Sequence, residues 1–452
     1  MGKYKRLLEE LEKRDKQIKE LEEENALLRY ELKQLKDKWF KPKPPKKEDS
    51  PKPEPKKKGA LFGHLGWFRR KPKKIDKVEA VTLRLCPICG GDNLTECKEK
   101  EEHIQEDIIL PQVKVTKYIH HHYYCKDCKK VVTGQGRDEL PGSYIGPAAK
   151  AIANFLRYDI KISVRDIRRL FRDLFNLEVV PASIPGFNNQ LRKKALPIYK
   201  GIQNKIKRAK TCHADETGWR MDGQNQWLWS LSNHKASLFH IDPSRGQKVL
   251  TALLGQRYNG ILISDFLSAY NKIEAKGKQR CLLHLERDLE KVEAITDDEF
   301  IRHYCQSLLR LLDQAKNLHQ DYLDKKIGEE YFQKKRESLN QWLKDFNFPD
   351  PGKRHLKRLS QRLTRHKNEL LTFLYHPRIP YHNNQAERHL RPNVIFRKIT
   401  FGNRSPQGAL NHSILMSVLH TAKLNKLDPL LVLKKIFLLP EQKRNIEVLI
   451  PP

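Results

Sequence analysis

An Asp-Gly pair between two β-rich runs constrains this chain's fold more than any other local feature. Asp222-Gly223 separates the stretch containing His213-Ala-Asp-Glu-Thr-Gly-Trp219 from the run Trp227-Leu-Trp-Ser-Leu-Ser232. Asp-Gly suits a tight primed turn, because both central residues there need positive φ, so the two runs predict an antiparallel hairpin. A third run, Ala236 to Asp242, alternates weakly and can pair alongside. After a helical stretch, Gln247–Leu254, comes Gly260-Ile-Leu-Ile-Ser-Asp265, a buried-strand pattern ending in a carboxylate. Much later, Asn383-Asn-Gln-Ala-Glu387-Arg-His-Leu-Arg-Pro392 opens a short helix. Asp215, Asp265 and Glu387, brought together by folding, would make a divalent-metal site for phosphoryl chemistry.

Each carboxylate also has a plain local use. Asp215 can cap a strand end, and its neighbour Glu216 competes for the role. On an extended segment the two point to opposite faces, so only one can face a shared site. Asp265 precedes Phe266-Leu-Ser-Ala-Tyr270 and can serve as a helix N-cap. Asn384-Gln-Ala-Glu387 fits a capping box in which the glutamate merely closes the first turn. Asp222 and Asp242 read as turn residues.

Four motifs in order carry a resemblance. They are Asp-Glu-Thr-Gly-Trp with the following Trp-Leu-Trp, then Ser-Asp265-Phe, then Gln-Arg-Cys-Leu-Leu-His284, and finally Asn-Asn-Gln-Ala-Glu-Arg-His-Leu-Arg-Pro with Arg397-Lys. Over roughly Arg84 to Gly408 the chain resembles the transposases of the insertion-sequence-66 family. The resemblance implies a ribonuclease-H-like α/β core and an Asp-Asp-Glu triad at Asp215, Asp265 and Glu387. It implies two Mg²⁺ (or Mn²⁺) per active site, with Asp215 bridging and Asp265 and Glu387 each completing one side. Hydrolysis would free a 3′-hydroxyl at the element end, and that hydroxyl would attack target DNA. Two rivals stand beside this reading: a non-catalytic, domesticated DNA-binding regulator, and a structure-specific nuclease on the same core.

Charge points to the same kind of partner. The 452 residues carry 88 Lys and Arg against 55 Asp and Glu, a net charge of +33, which calls for a polyanion, nucleic acid by default over membrane. No segment has the apolar length of a membrane span and no signal peptide is evident, so a cytoplasmic, nucleoid-associated protein is expected. Eight cysteines without a secretory signal suggest thiols or metal ligands rather than disulfides.

Residues 1–40 read as a coiled coil. Tyr4, Leu7, Leu11, Arg14, Ile18, Leu21, Asn25, Leu28, Leu32 and Leu35 step by threes and fours, and Asn25 suits the register-setting place of a parallel dimer. A homodimer, or a higher assembly, would hold two DNA ends. Residues 41–79 form a Pro/Lys-rich basic linker, interrupted by Gly63-His-Leu-Gly-Trp67. Residues 80–135 hold Cys86-Pro-Ile-Cys89 and Cys125-Lys-Asp-Cys128, two knuckles able to bind one structural Zn²⁺ in a zinc ribbon. Strand-like runs at Val113–Tyr118 and His120–Tyr124 suit that ribbon, with Cys97 and His120 to His122 as substitute ligands.

Residues 140–205 resemble a helix-turn-helix DNA-binding segment. Ser163 is placed as an N-cap, and Arg165, Arg168, Arg169 and Arg172 line the side opposite an apolar stripe, as phosphate contacts or as a solvated face. Pro185-Gly186 is expected to interrupt the third element. The core then spans 206–284 and 376–408, split by an all-helical insertion at 285–375, with C-terminal helices over 409–452. The whole is a multidomain α+β chain. Arg388, Arg391, Arg397, Lys398 and Arg404 crowd the glutamate and can either pair with acids or grip DNA phosphates. Cys281, His284, His303 and Cys305 have ligand-like spacing, though helix-core packing is the commoner use. Accessory transposition proteins are possible further partners.

Overall fold

The computed structural model describes residues 113–347 and 354–450, with shorter described stretches between residues 10 and 29 and between residues 74 and 105. The chain divides into two compact units, residues 37–111 and the remainder. In the smaller unit the described residues are exposed and carry neither helix nor strand, and Cys86, Cys89, Cys97 and most of the linker lie outside the described residues. Described residues between 10 and 29 are helical and expose Ile18, Leu21 and Leu28, three of the heptad positions.

The second cysteine knuckle forms a small hairpin, β1 (His122–Cys125) and β2 (Lys130–Thr133). Its strands flank the knuckle, whereas Val113–Tyr118, expected as a strand, has no regular structure. His120 is not free to bind metal: its ring nitrogens meet Gly134 O at 3.0 Å and Glu139 Oε1 at 2.8 Å.

Three helices follow: α1 (Pro147–Phe155), α2 (Val164–Phe175) and α3 (Ser183–Lys207). Ser163 caps α2, its Oγ accepting the Asp166 N–H at 3.1 Å. Pro185-Gly186 does not interrupt the third element. Both lie in its first turn, where a proline costs no intrahelical hydrogen bond.

A five-stranded sheet holds the centre: β3 (Thr211–Met221), β4 (Gln224–Ser232), β5 (Ser237–Asp242), β6 (Arg257–Ser264) and β7 (Glu274–Arg280), with α4 (Gln247–Leu254) between β5 and β6. Its order is β5-β4-β3-β6-β7, antiparallel from β5 to β3 and parallel from β3 to β7. Asp222 and Gly223 take φ of 49° and 72°, as the turn between β3 and β4 requires. Both faces are covered, and alternate residues divide between them. Leu262 joins the large core, with Cys212, Ala214, Leu231 and Phe239. Ile261 and Ile263 join a second core made by the helices after β7. Those helices are α5 (Leu282–Ile295), α6 (Glu299–Leu323), α7 (Glu329–Asp345), α8 (Arg354–His366) and the short α9 (Thr372–Tyr375). Cys305 is buried within this core, its use being packing.

After them come α10 (Asn384–Thr400), α11 (Pro406–Leu424) and α12 (Pro429–Leu438), the last capped by Asp428. Helix α11 lies along the outer edge of β5 and supplies the hydrogen bonds that a further strand would supply. The N–H groups of Ser237, Phe239 and Ile241 donate to Thr421 Oγ1, Ser417 Oγ and Ser413 Oγ at 3.1, 2.8 and 3.1 Å. The spacing of four residues on the helix matches two residues on the strand, 6.0 Å against about 6.8 Å. An edge that would otherwise invite pairing with another chain is thereby closed. Ser417→Ala strands the buried Phe239 N–H and is expected to cost about 1–3 kcal/mol in urea unfolding. An unchanged midpoint would remove the hydroxyl row from the account of this edge.

Candidate active site

The parallel pairing of β3 with β6 matches Thr211 with Ile261, Cys212 with Leu262 and His213 with Ile263. Two residues further on each strand stand Asp215 and Asp265. The two carboxylates therefore each follow the last paired residues of neighbouring strands by two positions, Asp215 inside β3 and Asp265 just past the end of β6. Asp215 is not a strand-end cap.

Glu387 reaches this place through a buried asparagine. Asn383, 1 % exposed, immediately precedes α10. Its Nδ2 donates to Ala214 O at 2.8 Å, its Oδ1 meets His213 Nδ1 at 3.1 Å, and its N–H donates to Cys281 Sγ at 3.3 Å. With the amide nitrogen committed to a carbonyl, Oδ1 must accept, so His213 carries its proton on Nδ1. Burial holds that ring neutral, its pKa pushed down to about 4. Asn383 thus joins the β3 segment before Asp215, the first turn of α10 and the start of α5. Glu387 closes no capping box, since the residue before the helix makes no side-chain cap and the glutamate N–H donates to Asn383 O.

The electrostatics are those of crowded acids. Burial, then the charges of Glu216 and Asp265, with Glu387 adding to them, push the Asp215 pKa up to about 8. Its Oδ1 accepts the adjacent Glu216 N–H at 2.9 Å. Glu216 is fully committed elsewhere: Tyr270 Oη donates to Oε2 at 2.6 Å and Arg245 donates twice to Oε1, at 3.1 and 2.8 Å. Asp265 accepts the Leu267 N–H at 2.9 Å through Oδ1. Glu387 has His284 Nε2 at 3.9 Å, and His284 Nδ1 is buried without a partner. His284, grouped by spacing with possible zinc ligands, thus belongs beside the acids.

Asp265 is fixed from behind by Arg280, a guanidinium with no exposed surface. Arg280 donates to Asp265 O at 2.7 Å, Ser264 Oγ at 3.2 Å, Asn271 Oδ1 at 2.8 Å and Glu369 Oε2 at 2.6 Å. Burial opposes the charge on Glu369, but the His366 hydrogen bond and Arg280 outweigh it and bring its pKa down to about 2. The motif containing Arg280 was visible in the sequence. Its task was not, because its partners stand 9, 15, 16 and 89 residues away along the chain, and only the fold gathers them around one guanidinium.

Among the described residues no three His, Cys, Asp or Glu side chains are gathered as a ready-made metal cage. The donor chemistry nevertheless fits Mg²⁺ or Mn²⁺. The available atoms are carboxylate oxygens, ionisation of Asp215 is unfavourable without a cation beside it, and Mg²⁺ is ordinarily held by one or two carboxylates with water and substrate phosphate.

Cations line the helix that carries Glu387 and the loop after it. Arg388, Arg391, Lys398 and Arg404 are exposed, Arg397 is half-buried over Gly218, and none of the five forms an ion pair among the described residues. The arginines of α2 are exposed as well, but Arg169 and Arg172 share Asp173, at 3.4 and 2.7 Å, leaving Arg165 and Arg168. Asn403 has a structural task. Its Oδ1 accepts the Trp219 Nε1–H at 2.8 Å, and its backbone bonds to Arg220 O and the Asp222 N–H. In the cysteine hairpin, hydrogen bonds from the Cys128 amide and thiol and the Asp127 amide hold the Cys125 thiol below its ordinary range.

A mixed sheet with acids on two adjacent inner strands, followed by a helix whose cations are unpaired among the described residues, fits a nucleic-acid-modifying class of protein. Sequence comparison makes this specific. The family described as "Transposase IS66 family" matches residues 142–411, and the "zinc-finger binding domain of transposase IS66" matches residues 84–129, which include all four knuckle cysteines. The chain belongs to the IS66 family of transposases. It is similar to protein y4jO of Sinorhizobium fredii, 39% identical over 72 residues, 16% of this chain and 22% of that protein. The chain therefore spans about a fifth of the curated relative it matches. Among the described residues no helix is long and apolar enough to cross a membrane.

Proposed function

We propose that this protein is a DNA transposase that binds its element's ends, cleaves their 3′ strands and joins them to target DNA, with Asp215, Asp265 and Glu387 as the catalytic carboxylates. The observation that carries the reading is that Asp215 and Asp265 each follow the last paired residues of β3 and β6 by two positions, with Asn383 tying the Glu387 helix to the same strand. The sheet order, three antiparallel strands extended by two parallel ones, supports a ribonuclease-H-like core.

Asp215, Asp265 and Glu387 would hold the divalent ions. When bound, such a pair neutralises charge on the entering and leaving oxygens and activates the attacking oxygen. Arg388, Arg391, Arg397, Lys398 and Arg404 grip phosphates on either side of the scissile bond. In the first step water attacks the phosphorus, and the bond to the 3′-oxygen breaks, leaving a 3′-hydroxyl and a 5′-phosphate. In the second, that hydroxyl attacks a target phosphodiester and expels another 3′-oxygen. Arg280 and Asn383 contact no reacting atom and act by holding Asp265 and the Glu387 helix in place. Outside the core, the zinc-finger domain would hold a structural zinc, Arg165 and Arg168 add backbone contacts, and the heptads of residues 1–40 pair two chains.

The test is joining of a labelled, pre-cleaved element end to plasmid in Mg²⁺ or Mn²⁺. Wild type should join, and Asp265→Ala and Glu387→Ala should each lose at least about a thousand-fold while still binding the end. Cutting without joining would mark a nuclease. Binding without chemistry in either metal, with the element's neighbouring gene products added, would mark a regulator.

A further inference from the structure

Helix α10 carries more than the glutamate. At 100° per residue, Glu387, Arg388, Arg391, Ile395, Lys398 and Ile399 fall on one face, and all but the half-buried Glu387 are exposed. The face ends at Phe401, which is 82% exposed and held at φ 59°, a left-handed conformation that a bulky side chain rarely adopts. Single exposed aromatics are ordinary. This one is both exposed and strained, and it is rigidly presented. The next residue, Gly402, has φ 100° and passes so close to β3 that a Cβ would lie 2.2 Å from Arg220 O. Asn403 then latches the loop to the hairpin of β3 and β4 through Trp219, Arg220 and Asp222. The ring cannot relax into the core, and Arg397, Lys398 and Arg404 around it have no acidic partner among the described residues.

We propose that Phe401 is a nucleobase contact: its ring stacks on a base of the DNA end whose backbone runs along the exposed face of the Glu387 helix. This rests on the DNA reading above and adds what that reading lacks, a contact to a base. An exposed aromatic among cations is how proteins hold an unstacked base, because every base offers a π-face while the cations take the phosphates. The apolar Ile395 and Ile399 on the same face suit base or sugar edges and add nothing for phosphate. Phe401 lies fourteen positions beyond Glu387, about 21 Å of helix. DNA laid along it advances about six base pairs over that length. Phe401 therefore meets a base about six pairs from the scissile phosphate.

The experiment scans 2-aminopurine through the element end, bound to the full-length protein in EDTA so that no chemistry occurs. Wild type should change the fluorescence several-fold at one position, about six pairs from the cleavage point. Phe401→Gly should abolish that peak and weaken binding about ten-fold. Phe401→Trp should retain it. The glycine variant should melt no lower than wild type, since glycine adopts this φ without strain, so a lost signal cannot be laid to misfolding. A peak unchanged in Phe401→Gly, or no peak in a wild type that binds its end, overturns the base contact alone. A wild type that does not bind its end overturns the DNA reading, and this inference with it.

Discussion

Asp215→Asn should make the metal-free protein more stable, by about 2–4 kcal/mol at pH 7.5, while abolishing strand joining. The folded carboxyl keeps its proton up to about pH 8, whereas its ordinary value is 3.8. Between those values the folded chain holds a proton that the unfolded chain has released, so this group's contribution to stability falls as pH rises. Asparagine carries no such penalty. The difference between variant and wild type should therefore be near zero at about pH 4 and complete near pH 8. Divalent cation binds the folded acids and not the unfolded chain, so it should raise the wild-type midpoint and leave that of Asp215→Asn nearly still. Urea unfolding across pH, with EDTA or Mn²⁺, reads both effects. A variant less stable than wild type at every pH would mean that the carboxylate is held by favourable partners rather than by crowded acids.

The second large effect is at Arg280. Arg280→Met removes the cation from a buried pair, leaves Glu369 to His366 and the more distant Lys278, and deprives the Asp265 carbonyl of its donor, a loss of about 3–5 kcal/mol. Arg280→Lys keeps the charge but cannot form the fork of contacts, and should fold with a smaller loss. If Arg280 positions Asp265, joining by the lysine variant should fall about ten- to a hundred-fold and recover partly at high Mn²⁺, whereas DNA binding should not change. Full activity in a folded Arg280→Lys protein would confine the residue to a structural role.

What could be read from the sequence was local. The turn at Asp222-Gly223, the helix Gln247–Leu254 and the cap at Ser163 each depend on a few neighbouring residues, and each stands where the sequence places it. Other local readings failed. Pro185-Gly186 lies in the first turn of a helix that no side-chain cap announces, Val113–Tyr118 forms no strand, and the helix read as short at Asn383 runs through Pro392 to Thr400. The residues that build the site were mostly not legible, because their partners are far along the chain. Asn383 meets Ala214, and Ser417 meets Phe239, across more than 150 residues. Spacing likewise grouped His284 with cysteines, when its neighbour in space is Glu387. The acids themselves were named by motif order, and the strand register that aligns two of them appears only in the fold.

The most direct test of this account is Mn²⁺ binding, followed by electron paramagnetic resonance, in wild type, Asp215→Asn and Glu387→Gln, each with a pre-cleaved DNA end. Wild type should bind Mn²⁺ at the acids, and each variant should bind at least about ten-fold more weakly while holding DNA as well as wild type. Equal Mn²⁺ affinity in all three proteins would contradict the assignment of these carboxylates to a shared metal site.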